Sequence, residues 1–211
     1  HSNAIEAFRW QNVTMSGNNI TGTYGRLLVW SYNSDPLLSV IIDNNTIDIG
    51  PGGEDGNPTS TGIGVYYTIG DVNITNNNVT GATSCITVFG VTDSEVMDNN
   101  LTDCVARGLY FHDSEDYVAP VSSSIVGNTF TNSPVGAENA AQTFELNVCN
   151  NTFIAIGDPD YENPGPFAPC NDSNLVVLKY EDLDADGTND EGTDPGIWLW
   201  QIKLYDENGN Q

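Results

Sequence analysis

Cations are what this chain most lacks. Its 211 residues carry 5 Lys+Arg and 2 His against 29 Asp+Glu, a formal net charge of −24. Nucleic acids and anionic membrane surfaces recruit Lys and Arg, so both are excluded as partners. No apolar run approaches the ~20 residues that span a bilayer, which argues against membrane insertion in this segment. The helix-forming residues Leu, Lys and Glu are scarce beside 26 Asn, 19 Thr and 21 Gly, so a helical protein is excluded too. Hydrophobic residues are 38% of the chain, enough for a core, and the length suits one domain or slightly more. The chain opens at His1 without a Met or a signal-like apolar stretch, and is read as a mature or excised fragment.

Cysteines number only four, Cys85, Cys104, Cys149 and Cys170, with no spacing suited to zinc. Three pairings are open, and the two shortest loops, Cys85–Cys104 and Cys149–Cys170, are the expected ones. Eight N-x-[ST] sequons begin at Asn12, Asn19, Asn44, Asn73, Asn78, Asn100, Asn150 and Asn171. Most grow out of the repeat described next. Acidity, sequons and cysteines together point to an extracellular or cell-surface location.

What is present in abundance is an Asn-x-apolar step. It recurs at Asn18, Asn45, Asn77, Asn99, Asn128 and Asn151, with spacings of 27, 32, 22, 29 and 23. A period in the twenties with loops absorbing the variation marks a solenoid. Short alternating runs precede each step, such as Val72-Asn73-Ile74 and Ser124-Ile125-Val126. Others follow it, such as Leu27-Leu28-Val29-Trp30, Gly64-Val65-Tyr66 and Leu109-Tyr110-Phe111. Asn tolerates the left-handed backbone of a tight bend, and its amide can bond the amides above and below it. The apolar residue two places on would then stack inside. With these features residues 1–156 resemble the right-handed parallel β-helix family, the pectate-lyase-like solenoids. The resemblance implies an all-β fold of about six coils. A β-sandwich with Asn-rich turns is the alternative.

Residues 157–174 hold four of the ten prolines and read as a Pro-rich linker or cap that cannot continue the coil. Beyond it, Asp182, Asp184, Asp186, Thr188 and Asp190 fall at calcium-loop positions around the Gly187 turn. Thr193 stands where such a loop ends in Glu, so Asp194 or Glu191 would have to complete the sphere of a Ca2+ ion. The alternating run Ile197–Tyr205 follows, with Trp198 and Trp200 on one face. The segment 175–211 resembles the opening of the B-type Ig-like repeats of surface adhesins, which implies a partial Ig-like β segment. At ~35 residues it is too short to close its own sandwich, so a copy of the chain or an adjoining module would complete it.

Catalysis is expected to be absent. The weak candidates are Arg107, His112 and Asp113; on an extended strand Arg107 and His112 would face opposite ways. Asp98 and Asp103 could join Asp113 in a hydrolase carboxylate set, but Asp-Asn bends belong to a solenoid anyway. The function expected is therefore a structural cell-envelope protein that assembles into a layer, sheath or fibre. Alternatives are a polysaccharide-binding or polysaccharide-cleaving β-helix, and a surface adhesin. Tyr66, Tyr67 and Tyr110 lying along one face would favour carbohydrate as partner.

Overall fold

The six ladder asparagines dictate how the chain coils. In the computed structural model, residues 4–22, 26–31, 37–49, 61–112, 122–140, 146–156, 161–162 and 167–169 are described. They lie in the first of the chain's two units, His1–Cys170. The second unit holds the Asp-rich and Trp-containing run, so the calcium-loop and Ig-like expectations fall outside the described residues.

The first coil runs through β1 (Ile5–Phe8), β2 (Asn12–Ser16) and β3 (Asn19–Thr21), the second through β4 (Leu27–Trp30), β5 (Leu37–Asp43) and β6 (Thr46–Asp48). In the third and fourth coils the first two segments merge into one long strand. These coils are β7 (Thr61–Thr75) with β8 (Asn78–Thr80), and β9 (Ser84–Met97) with β10 (Asn100–Thr102). The fifth coil is β11 (Arg107–His112), β12 (Ser122–Val126) and β13 (Thr129–Thr131); the sixth is β14 (Val135–Asn139), β15 (Leu146–Cys149) and β16 (Thr152–Ile154). All pairings between coils are parallel, and they form three faces. The first stacks β1, β4, β7, β9, β11 and β14. The second stacks β2, β5, the far halves of β7 and β9, β12 and β15. The third stacks β3, β6, β8, β10, β13 and β16. Six complete coils match the expected number.

The stack does not stop at residue 156. Two further strands, β17 (Tyr161–Glu162) and β18 (Phe167–Pro169), pair in parallel with β14 and β15 and begin a seventh coil. Prolines therefore do not end the coiling here. These strands are two and three residues long, and Pro169 closes the last described strand of its row, an edge position where proline is tolerated.

The third face shows why the repeat reads so clearly. Its strands pair without a shift, so Ile20, Ile47, Val79, Leu101, Phe130 and Phe153 form one inward column. All but Phe153 are buried, and the Phe130 and Phe153 rings stack at 5.0 Å. Full burial of each such side chain contributes about 1.5–3 kcal/mol. Leu27, Ile63, Ile86 and Leu109 from the first face, and Val40, Ile42, Ile74 and Ile125 from the second, complete the core.

Between second and third faces the ladder forms as expected. Each Nδ2 donates to the Oδ1 of the next asparagine: Asn18 to Asn45 at 2.8 Å, then Asn77, Asn99 and Asn128 at 2.9 Å, and Asn151 at 3.1 Å. The same Oδ1 accepts the preceding asparagine's backbone N–H, for instance Asn77 to Asn99 at 2.9 Å. The left-handed backbone, however, belongs to the residue before each ladder asparagine. Gly17, Asn44, Asn76, Asp98, Gly127 and Asn150 all have φ between 53° and 67°. The tasks are divided: one residue turns the chain and the next, nearly fully buried at Asn45, Asn77, Asn99 and Asn128, ties coil to coil.

Cys85 and Cys104 are joined in a disulfide inside the stack, both buried. Cys149 is also disulfide-bonded. Its expected partner, Cys170, lies outside the described residues.

Candidate functional site

Among the described residues, the first face carries the main concentration of aromatic side chains. The last outward position of its strands holds Phe8, Trp30, Tyr66, Phe89 and His112, aligned by strand register into one column along the coil axis. Successive strands of a sheet are about 4.8 Å apart. Phe8 stacks on Trp30 at 4.1 Å, Tyr66 lies 6.0 Å from Phe89, and Phe89 lies 4.9 Å from His112. Tyr67 and Tyr110 flank the column, at 5.0 Å from Phe89 and 5.7 Å from His112. All seven rings are half-buried; Trp30 stacks on one face of Phe8, and Arg107 lies over one face of Tyr110.

Local backbone features aim these rings. Gly64 faces outward under Tyr66, and a Cβ at that position would run into the Tyr66 ring. The ring lies over the gap that the glycine leaves. Tyr67 has φ 60°, a conformation a bulky side chain rarely adopts. It sits beside a register irregularity between Thr68 and Asp71, where β7 carries an extra residue relative to β9. Strained residues and bulges concentrate at binding and active sites.

Polar groups join the rings at this face: in the first coil Glu6 accepts from the Trp30 indole N–H, and the fifth and sixth coils supply an ion pair. Arg107 pairs with Glu138 at 2.7 Å, and its guanidinium lies over the Tyr110 ring at 4.3 Å. Burial, then the Glu138 charge, push the Tyr110 phenol above its ordinary value, so it stays a proton donor at neutral pH. His112 Nδ1 is buried with no hydrogen-bond partner among the described residues.

Arg107 and His112 flank the same ring, contrary to the strict alternation expected for the strand. The reason is Gly108. Gly108 and Leu109 are consecutive and both buried; a Cβ on Gly108 would meet the Phe130 ring inside. One residue of the alternation is spent on the core, and Arg107 is left on the outer side with Tyr110. Asp113 lies outside the described residues. Asp98 and Asp103 occupy left-handed bends with φ 54° and 52°, and Asn132 donates to Asp103; they are bend residues apart from the first face.

A concavity of about 410 Å³ opens on the second face between Asp71, Asn73, Asp93, Glu95 and Ser124. Among the described residues no three His, Cys, Asp or Glu side chains converge as a metal site. Asp182, Asp184, Asp186, Thr188, Asp190 and Asp194 all lie outside them.

A family model for a right handed beta helix region matches residues 1–153. The chain belongs to the right-handed β-helix family. Among curated proteins and among solved structures, none matches it. Of the sequence candidates, this β-helix brings together Tyr66, Tyr67, Tyr110, Arg107 and His112. It adds Phe8, Trp30, Phe89 and Glu138, which sequence reasoning had passed over. Trp30, Tyr66, Phe89 and His112 each follow an alternating run, but only the strand register makes them neighbours.

Proposed function

We propose that the protein is an extracellular, cell-surface β-helix whose first face binds a neutral polysaccharide lying along the coil axis, without cleaving it. The aromatic column carries this reading. The C–H faces of pyranose rings are apolar and pack on aromatic faces, while their hydroxyls stay wet. Half-buried rings repeating at the strand spacing suit a polymer better than a small ligand.

Charge selects the polymer. Stacked aromatics also bind single-stranded nucleic acid, but that needs a cationic groove. Here Arg107 is neutralised by Glu138, Arg9 lies over Phe8 at 5.0 Å, and the net charge of −24 repels polyanions. A binding role is favoured over cleavage because Arg107, the base a lyase would need, is engaged by Glu138 and the Tyr110 ring. The disulfide fits an oxidising compartment outside the cell. In the same reading the stacked coils are the scaffold of a surface protein, and the Asp182–Asp194 loop is a calcium-dependent joint to a neighbouring module or copy. Melting with and without chelator tests that joint.

Affinity electrophoresis through gels containing neutral or acidic polysaccharides tests the binding role. Retardation by a neutral polymer, abolished in Tyr66→Ala and Phe89→Ala, is expected. Equal mobility in every gel would refute it.

A further inference from the structure

The fold sorts the sequons, and the sorting carries an inference independent of the ligand on the first face. Residue positions around each ladder asparagine have fixed fates. The residue two places on always points inward and is always apolar, so a ladder asparagine itself never opens a sequon. Two outward routes remain: an asparagine just before the ladder position with Thr just after it, or an asparagine just after it with Thr two places further.

Five of the six coils use one route, and each of these carries a single sequon here. Asn44 and Asn150 use the first route; Asn19, Asn78 and Asn100 use the second. All five asparagines are exposed, at the bend between the second and third faces or on the third face. Only the fifth coil has none, with Gly127 and Thr129 in the two places. Two different ways of writing the motif thus converge on the same edge of successive coils. The strands of the first face contain no sequon asparagine at all, while Asn12 and Asn73 sit on the second face.

We propose that this edge is an N-glycosylated belt, leaving the aromatic face bare. In the transfer, Nδ2 loses one proton and bonds to the anomeric carbon of a lipid-phosphate-linked oligosaccharide. The C1–O bond to phosphate breaks, and the lipid phosphate leaves with the electron pair. No oxidant or reductant is involved. Geometry limits the occupancy. Asn78 and Asn100 are register partners on adjacent strands, and Asn100 Nδ2 donates to Asn78 Oδ1 at 3.1 Å. Strands about 4.8 Å apart leave no room for two core sugars side by side. These two sites therefore compete, whereas Asn19 has Thr46 as its neighbour and is unhindered.

Intact glycopeptide mass spectrometry of the protein purified from its source cells tests this. Glycans on Asn19, Asn44 and Asn150, and on one of Asn78 or Asn100 per molecule, are expected. Thr102→Ala should abolish modification at Asn100 and raise occupancy at Asn78. Unmodified masses for the belt peptides, glycans at Asn12 and Asn73 alone, or double occupancy of Asn78 and Asn100 would overturn the proposal.

Discussion

Replacing Asn99 by Ala probes the ladder at its centre, where its cost can be worked from named bonds. Asn99 is 1% exposed. Its Oδ1 accepts the backbone N–H of Asn77 and the Nδ2 of Asn77, both at 2.9 Å. Its Nδ2 donates to Asn128 Oδ1 and Ile74 O at 2.9 Å, and to Met97 O at 3.0 Å. Truncation strands the buried Asn77 N–H, whose acceptor is Asn99 Oδ1. Asn77 Nδ2 keeps the carbonyl of Ile42, and Asn128 Oδ1 keeps the N–H of residue 99, so those losses are partial. A stranded buried group costs about 1–3 kcal/mol. One full loss, several partial ones and a small cavity give about 3–5 kcal/mol. Asn100→Ala is the control, since that exposed side chain loses a single solvated bond and should cost no more than about 0.5 kcal/mol. Urea denaturation measures both, with an unchanged slope as the sign that the unfolded state is unaltered. If Asn99→Ala lies within about 1 kcal/mol of the parent, the ladder does not hold the coils together as argued.

Three further outcomes follow from the same structure. Converting Cys85 and Cys104 together to Ala opens a closure of 19 residues and should lower stability by about 3 kcal/mol, read from the denaturation midpoint. Ala155 sits at φ 51° on an exposed bend, so Ala155→Gly should raise stability by about 0.5–1 kcal/mol. The Tyr110 phenol should titrate above the ordinary value of about 10, followed by ultraviolet difference absorption, and Glu138→Gln should bring it back down. The sign for stability follows. The folded state prefers the neutral phenol, so this contribution is intact below the unfolded value and is lost as pH rises through the folded one.

The ladder was legible because each of its asparagines is locked to an apolar residue two places on, a pattern that loops of any length leave intact. The same cannot be said of the aromatic column. Phe8, Trp30, Tyr66, Phe89 and His112 align only after intervening loops of very different lengths are folded away, and nothing local marks them as neighbours. Arg107 was misplaced because a strand's alternation was assumed to be unbroken, whereas Gly108 lets two consecutive residues face the core. The bend itself was assigned to the ladder asparagines, although the left-handed residue is the one before them. In 157–174 proline content gave no sign of the short strands Tyr161–Glu162 and Phe167–Pro169.

The most direct test of the carbohydrate reading is calorimetric titration with a length series of neutral β-linked oligosaccharides. Affinity should climb with each added sugar as more of the column is covered. Gly64→Ala, which displaces the Tyr66 ring and leaves the core apolar, should weaken the longer oligomers most. No measurable heat for any length, or binding indifferent to length and to Gly64→Ala, would contradict the account.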